Sequence, residues 1–159
     1  MLFLLSLIIN YPCCCKNQKE MRRIDLIVIH CSATRCDQNF PVTALIRCHA
    51  ERFGFTGYHY YVRKSGCIYQ TRHEQLVGAH AKGYNAHSLG VCYEGGLDAN
   101  GHPADTRTPR QKRSLLRLLK RLKKAHPDAR IVGHRDLPDV HKDCPCFDAG
   151  SEYGALDNR

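Results

Sequence analysis

The chain contains no apolar run long enough to cross a bilayer. The longest candidate, Met1–Ile9, falls far short of the about 20 residues a spanning helix needs. Internal repeats and low-complexity tracts are also missing, which sets aside solenoid and fibrous architectures. Its ten cysteines show no regular framework spacing, three of them being the consecutive Cys13, Cys14 and Cys15, so a disulfide scaffold is a poor reading. Acids are scarce, with 15 Asp and Glu against 24 Lys and Arg and a formal net charge of +9. Such an excess favours an anionic partner, whether nucleic acid, an acidic membrane surface or a cell wall, and does not choose among them.

Residues 1–20 also lack the features of a secretory signal: no basic residue precedes the apolar run and no small-x-small cleavage site follows it. Pro12 stands where a lipid-attachment signal before Cys13 wants a small residue. These residues are therefore expected to be a leader or a mis-assigned start outside the fold, with the domain opening near Met21, running to about residue 150 and ending in a tail over 151–159. Localisation stays open between the cytoplasm until lysis and export to the envelope.

What is present is one ordinary globular domain: 159 residues, 43% hydrophobic and 25% charged. Ile24–His30 reads as a buried strand, followed by a polar loop to Phe40. Pro41 opens a helix to about Phe53, with Ala44, Leu45, Cys48 and Ala50 near one face and Gly54 as its stop. Tyr58–Arg63 and Cys67–Thr71 form a hairpin about Ser65-Gly66, and Ser88–Glu94 is a further strand. Thr108-Pro109 starts the clearest helix, with Leu115, Leu118, Leu119 and Leu122 at helical spacing and a basic outer face from Arg110 to Lys124. Ala129–Val132 is a short strand, and loop and tail follow Gly133. The expected fold is α/β: a single domain with a central mixed β-sheet flanked by helices. Cys31, Cys48, Cys67 and Cys92 lie in apolar or alternating segments and are expected to be mostly buried thiols.

Histidine carries the candidate chemistry. His30 ends one strand, His134 follows another, and Cys144 lies in a Pro- and Asp-rich loop beyond. Two imidazoles and a thiolate can form three legs of a tetrahedral zinc site, leaving the fourth position for water, as catalytic sites do. Cys146 and His141 are neighbouring alternatives. Tyr58, Tyr60 and Tyr61 also suit plain sheet packing, and Lys142 suits a solvated loop. His59 is expected on the opposite face from Tyr58, and Cys31 is expected to point away from His30.

The ordered segments Ile27–Thr34, Gly57-Tyr58-His59-Tyr60, Gly78–Asn85, Ser88–Cys92, Gly133-His134-Arg135-Asp136 and Lys142–Asp148 resemble the small phage-lysozyme-type N-acetylmuramoyl-L-alanine amidases, zinc enzymes related to peptidoglycan recognition proteins. The resemblance runs from about Met21 to Asp148. It implies that His30, His134 and Cys144 match the zinc (Zn2+) ligands and that Tyr58 and Lys142 match the residues associated with catalysis. It also implies that the segment from His80 to Asn85 lines the substrate cleft, with both of those residues as substrate-binding candidates. The implied partner is peptidoglycan, met by a monomer with no stable membrane insertion and no specific nucleic acid.

Three other classes compete, of which a thiol hydrolase using Cys31 with a histidine is disfavoured because His30 is expected to point the opposite way. A noncatalytic peptidoglycan-binding module would have lost zinc ligands, whereas here the full set is present. A nucleic-acid binder would use the basic helix, yet no recognised nucleic-acid motif accompanies it.

Overall fold

The computed structural model describes residues 21–157; the expectation for residues 1–20 lies outside them. Five strands form one sheet: β1 (Leu26–Cys31), β3 (Tyr60–Val62), β4 (Ile68–Gln70), β5 (Ser88–Tyr93) and β7 (Arg130–Gly133), in the order β4-β3-β5-β1-β7. All neighbours run parallel except β3 and β4, which pair antiparallel as the expected hairpin. Two short strands, β2 (Thr34–Arg35) and β6 (Gly96–Leu97), pair separately. The sheet is thus mixed and the domain α/β, as expected.

The central strand explains the placement of the rest. Ile27, Val28 and Ile29 are all fully buried, the pattern of a parallel strand covered on both faces. Alternation sends Ile27, Ile29 and Cys31 into one core with Leu89, Val91 and Tyr93 of β5, where α2 (Pro109–Ala125) contributes Leu115, Leu118, Leu119 and Leu122. Helix α2 begins as its sequence predicts: Pro109 occupies the first turn and the Thr108 hydroxyl accepts from the Gln111 N–H at 3.1 Å, a capping box. The opposite face of the sheet carries His30, Gly90 and Cys92, and here α1 (Val42–Phe53) packs through Leu45 against Tyr61 and Cys92.

Several expectations need correction. The packed stripe of α1 is Val42, Leu45, His49 and Phe53, at i, i+3, i+7 and i+11, so Cys48 and Ala50 turn to solvent. Cys67 is exposed as well, in the β3–β4 turn region; of the four thiols expected inside, only Cys31 and Cys92 are buried. Lys123 leaves the basic face of α2 and is buried, its Nζ donating to the carbonyls of Pro127 (2.7 Å) and Ala129 (2.6 Å). Its apolar stem reaches the core while its head is satisfied by backbone.

The stretch after Gly133 is not all loop and tail. A short helix, α3 (Ala149–Tyr153), starts on the Asp148 side chain, and Tyr153 and Leu156 pack into the α2-side core. Arg107 ties this segment down: its guanidinium is 1% exposed, lies over the Phe147 ring, and pairs with Asp105 and with Glu152 at 2.6 Å.

Partial burial pushes the Asp105 carboxyl up, but the hydrogen bonds and charge of Arg107, helped by Lys112, outweigh it and hold the group down at about 2. Because the folded value lies below the unfolded one of about 3.9, the pair stabilises the fold above that pH and is lost as pH falls toward 2. Asp105→Asn is expected to lower stability at pH 7 by about 1–2 kcal/mol. The difference from the parent in urea unfolding should shrink between pH 4 and 2, and a constant difference would contradict this assignment.

Candidate metal centre and cleft

The carboxyl ends of parallel strands are where open α/β sheets place ligands, and His30 and His134 sit there. Ile29 pairs with Gly133 across β1 and β7, so the next residue of each strand reaches the same level, and the two imidazole rings lie 4.5 Å apart. Cys144 arrives from the following loop. Its sulfur accepts the Cys31 N–H at 3.3 Å and lies 3.8 Å from His30 Nδ1. That loop is pinned by Arg135 N–H donating to the Cys144 carbonyl (2.7 Å) and by the Tyr93 hydroxyl donating to the Pro145 carbonyl (2.6 Å).

The other nitrogen of His30 is occupied as well. Its Nε2 stands 3.1 Å from His80 Nδ1, and His80 Nε2 stands 3.4 Å from the Ser88 hydroxyl. A consistent proton order follows: His30 donates from Nε2 to His80, which keeps its own proton on Nε2, and His30 Nδ1 is left with a lone pair facing Cys144. Partners of this kind fix the tautomer and orientation of metal-ligating histidines. Gly90 makes the arrangement possible, because a Cβ there would lie 2.6 Å from the His80 ring. The loop bearing His80 is fastened by Arg22, which donates to the carbonyls of Glu74 (3.1 Å), Asn85 (2.8 Å) and Ser88 (3.1 Å).

Electrostatics favour the metal-binding protonation states. Burial, followed by the neighbouring imidazoles and Lys142, holds His30 well below the ordinary histidine range. Burial and then Lys142 lower His134. Burial, chiefly, takes His80 to about 3. The Cys144 thiol is lowered by a hydrogen bond from the Cys31 side chain, against its own burial, with help from the Cys31 N–H and Lys142. Neutral imidazoles and a thiolate are the forms that bind a metal.

His30, His134 and Cys144 offer one ligand atom each, all within 4.8 Å of one another. Zinc–nitrogen and zinc–sulfur bonds of about 2.1 and 2.3 Å place tetrahedral ligands about 3.6 Å apart, close to the observed sulfur–nitrogen separation. The donor set and its spacing therefore fit a zinc ion. Cys146 turns the other way, its sulfur 3.7 Å from that of Cys31. His141 is exposed and outside the cluster.

These donors open into a cleft of about 660 Å³. Tyr58 forms part of its wall, its ring 5.0 Å from that of His30; burial and nearby thiols push its phenol well above the usual range, so it keeps its proton. Lys142 lines the mouth and is exposed. His80 and Asn85 also line the cleft, but the Asn85 side-chain oxygen is taken up by the N–H groups of His80 and Ala81, both at 2.9 Å. His59 is fully buried and accepts the Gly90 N–H at 3.0 Å, in keeping with the structural part expected of it.

His49 and Arg52 are lining residues that the sequence reading did not single out. His49 accepts the Gly57 N–H at 2.9 Å and lies 4.8 Å from the Tyr58 ring, so it steadies that wall. Its position seven residues after Val42, on the packed stripe of α1, was the available signal. Arg52 and Lys82 add cations, and among the described residues no carboxylate lines the cleft.

The family model described as N-acetylmuramoyl-L-alanine amidase matches residues 20–147. The chain is similar to the endolysin of Escherichia phage T7, 38% identical over 131 residues, which are 82% of this chain and 85% of that one. It is similar too to the endolysin of Klebsiella phage KP32, 39% identical over 123 residues, covering 77% and 80%. Among solved structures, the N-acetylmuramoyl-L-alanine amidase LysC from Clostridium intestinale superposes with a TM-score of 0.69 at 30% identity, covering 86% of this chain and 87% of that one. With the family match spanning most of the chain and the fold shared with LysC, this protein belongs to the N-acetylmuramoyl-L-alanine amidases, the peptidoglycan-cleaving family that includes the phage endolysins.

Proposed function

We propose that His30, His134 and Cys144 hold one zinc ion and that the amide cleaved joins the lactyl group of N-acetylmuramic acid to L-alanine of the stem peptide. The observation that carries this reading is the convergence of the three donors within 4.8 Å at the floor of the cleft. Zinc held there would lower the pKa of a bound water to about 7 and polarise the scissile carbonyl.

The remaining work falls to side chains of the chain itself. Lys142 holds a positive charge at the mouth, where the carbonyl oxygen becomes negative as the tetrahedral intermediate forms. Tyr58, kept protonated, donates a hydrogen bond toward the reacting atoms and orients them rather than acting as a base. His80 acts through His30, fixing the tautomer that turns Nδ1 toward the metal position. The cations Arg52, Lys82 and Lys142, with no opposing carboxylate among the lining residues, suit the carboxylates of a stem peptide. The complete donor set favours an enzyme over a recognition module that only binds.

Metal analysis coupled to turbidity clearing of purified peptidoglycan tests the reading. One zinc per chain and activity lost on chelation, then restored by zinc, are expected. Clearing that survives complete zinc removal overturns the mechanism.

The part given to His80 has its own check. His80→Ala is expected to weaken zinc binding about 10- to 100-fold, measured by competition with a chromogenic chelator. Unchanged affinity would return His80 to a substrate-contacting role.

A further inference from the structure

The turn Cys144-Pro145-Cys146 brings both of its thiols against the core that holds Cys31. Cys144 also faces the cleft, its sulfur 3.8 Å from His30 Nδ1, while the Cys146 sulfur lies 3.7 Å from that of Cys31. The two sulfurs gather over Gly96: a Cβ on that residue would lie 2.5 Å from the Cys31 sulfur and 3.6 Å from that of Cys146. A side chain there would displace the Cys31 sulfur, so the bare backbone of β6 leaves room for it beside Cys146. Both are free thiols; Cys31 is buried, and Cys146 is partly open to solvent. Neither belongs to the cluster of candidate metal ligands. Cys36, Cys48 and Cys67 are exposed, and the thiols within reach of Cys31 are Cys146 and the candidate ligand Cys144.

We propose that Cys31 and Cys146 are a dithiol modification site that closes to a disulfide by exchange with a low-molecular-weight disulfide, leaving Cys144 as metal ligand. The accessible Cys146 thiolate attacks one sulfur of the small disulfide and expels the first thiolate. The Cys31 thiolate then attacks the Cys146 sulfur of the mixed disulfide and expels the second. Two protein thiols are oxidised to one disulfide, the small disulfide is reduced to two thiols, and the two protons leave with them. The bond links positions 115 residues apart, and cross-links closing long loops restrict the unfolded chain most. It also ties the end of β1, next to His30, to the loop next to Cys144, so the two halves of the metal centre are held in register by a covalent bond.

The test uses the full-length, zinc-treated protein and oxidised glutathione, with remaining thiols alkylated before digestion without reductant. A peptide pair joining Cys31 to Cys146 is expected, together with a melting temperature several degrees above that of the reduced protein and unchanged zinc content. Cys146→Ser should fold and show no such thermal shift. Recovery of both cysteines as alkylated or glutathione-capped thiols would overturn the proposal, as would a link from Cys31 to Cys144 or loss of zinc accompanying the Cys31–Cys146 link. The peptide map is decisive by itself if the variant fails to fold. Since cross-link mass and melting are read without wall hydrolysis, failure of the dithiol and failure of the amidase mechanism are separately visible.

Discussion

Cys144→Ala should abolish the release of new L-alanine amino termini from purified peptidoglycan, with a loss on the order of 10³-fold or more, while the chain stays folded. In the proposed site a Cys144 thiolate would be the one anionic donor, and it is carried by a loop rather than by the sheet. Removing it leaves His30 fixed by His80 and His134 beside it, which are two neutral ligands for a dication. Zinc content after dialysis should therefore fall well below one per chain, and the loss of activity should track the loss of metal. The local fold has independent anchors, the Arg135 N–H on the Cys144 carbonyl and the Tyr93 hydroxyl on the Pro145 carbonyl, neither of which uses the sulfur. Full activity in a Cys144→Ala protein would remove Cys144 from the site, and a protein that keeps its zinc but loses activity would give the thiolate a part other than ligation.

The second large effect separates binding of metal from chemistry. Lys142→Ala is expected to lower kcat about 10²- to 10³-fold, the range seen when one group stabilising a developing oxyanion is deleted, with zinc still bound at one per chain. Lys142 is exposed at the cleft mouth, so little packing is lost with it. A rise in KM with kcat unchanged would mean that Lys142 binds substrate and transition state equally. Loss of zinc in this variant would show that its charge serves the ligands, which it does lower in pKa, rather than the reaction.

The parts of the site that were legible in the sequence are those set by strand geometry and chain order. His30 and His134 stand out because each ends or follows an apolar β-branched run, whereas the polar Pro-containing loop offers Cys144 and Cys146 alike and only the family resemblance selects Cys144. The sheet, α2 and its Thr108-Pro109 start follow from alternation, helical spacing and capping chemistry. What escaped depends on contacts between distant segments. His80 reads as a cleft residue from its glycine-bounded loop, and only the absence of a Cβ at Gly90 and the ring of His30 beyond it reveal that its Nδ1 is already committed. The burial of Lys123 depends on carbonyls at Pro127 and Ala129, which no helical pattern announces. Cys48 and Cys67 were expected inside because their neighbours are apolar, but a one-position rotation of the α1 stripe and a short hairpin leave both outside. The segment over Ala149–Tyr153 is too short for periodicity to mark it, and its helix exists because Tyr153 and Arg107 bury together.

The spacing of the donors along the chain has a consequence in time. His30 stands in the first strand of the sheet, whereas His134 and Cys144 follow the last, and the Cys144 sulfur and His30 nitrogen that meet at 3.8 Å are 114 residues apart. A nascent chain carries His30 long before it carries either partner, and β7 must dock beside β1 before the rings can face one another. The proposed centre therefore cannot close before Cys144 has been added to the chain. A truncated fragment that stops short of residue 144 is expected to keep most of the cleft residues and to release no new amino termini from peptidoglycan.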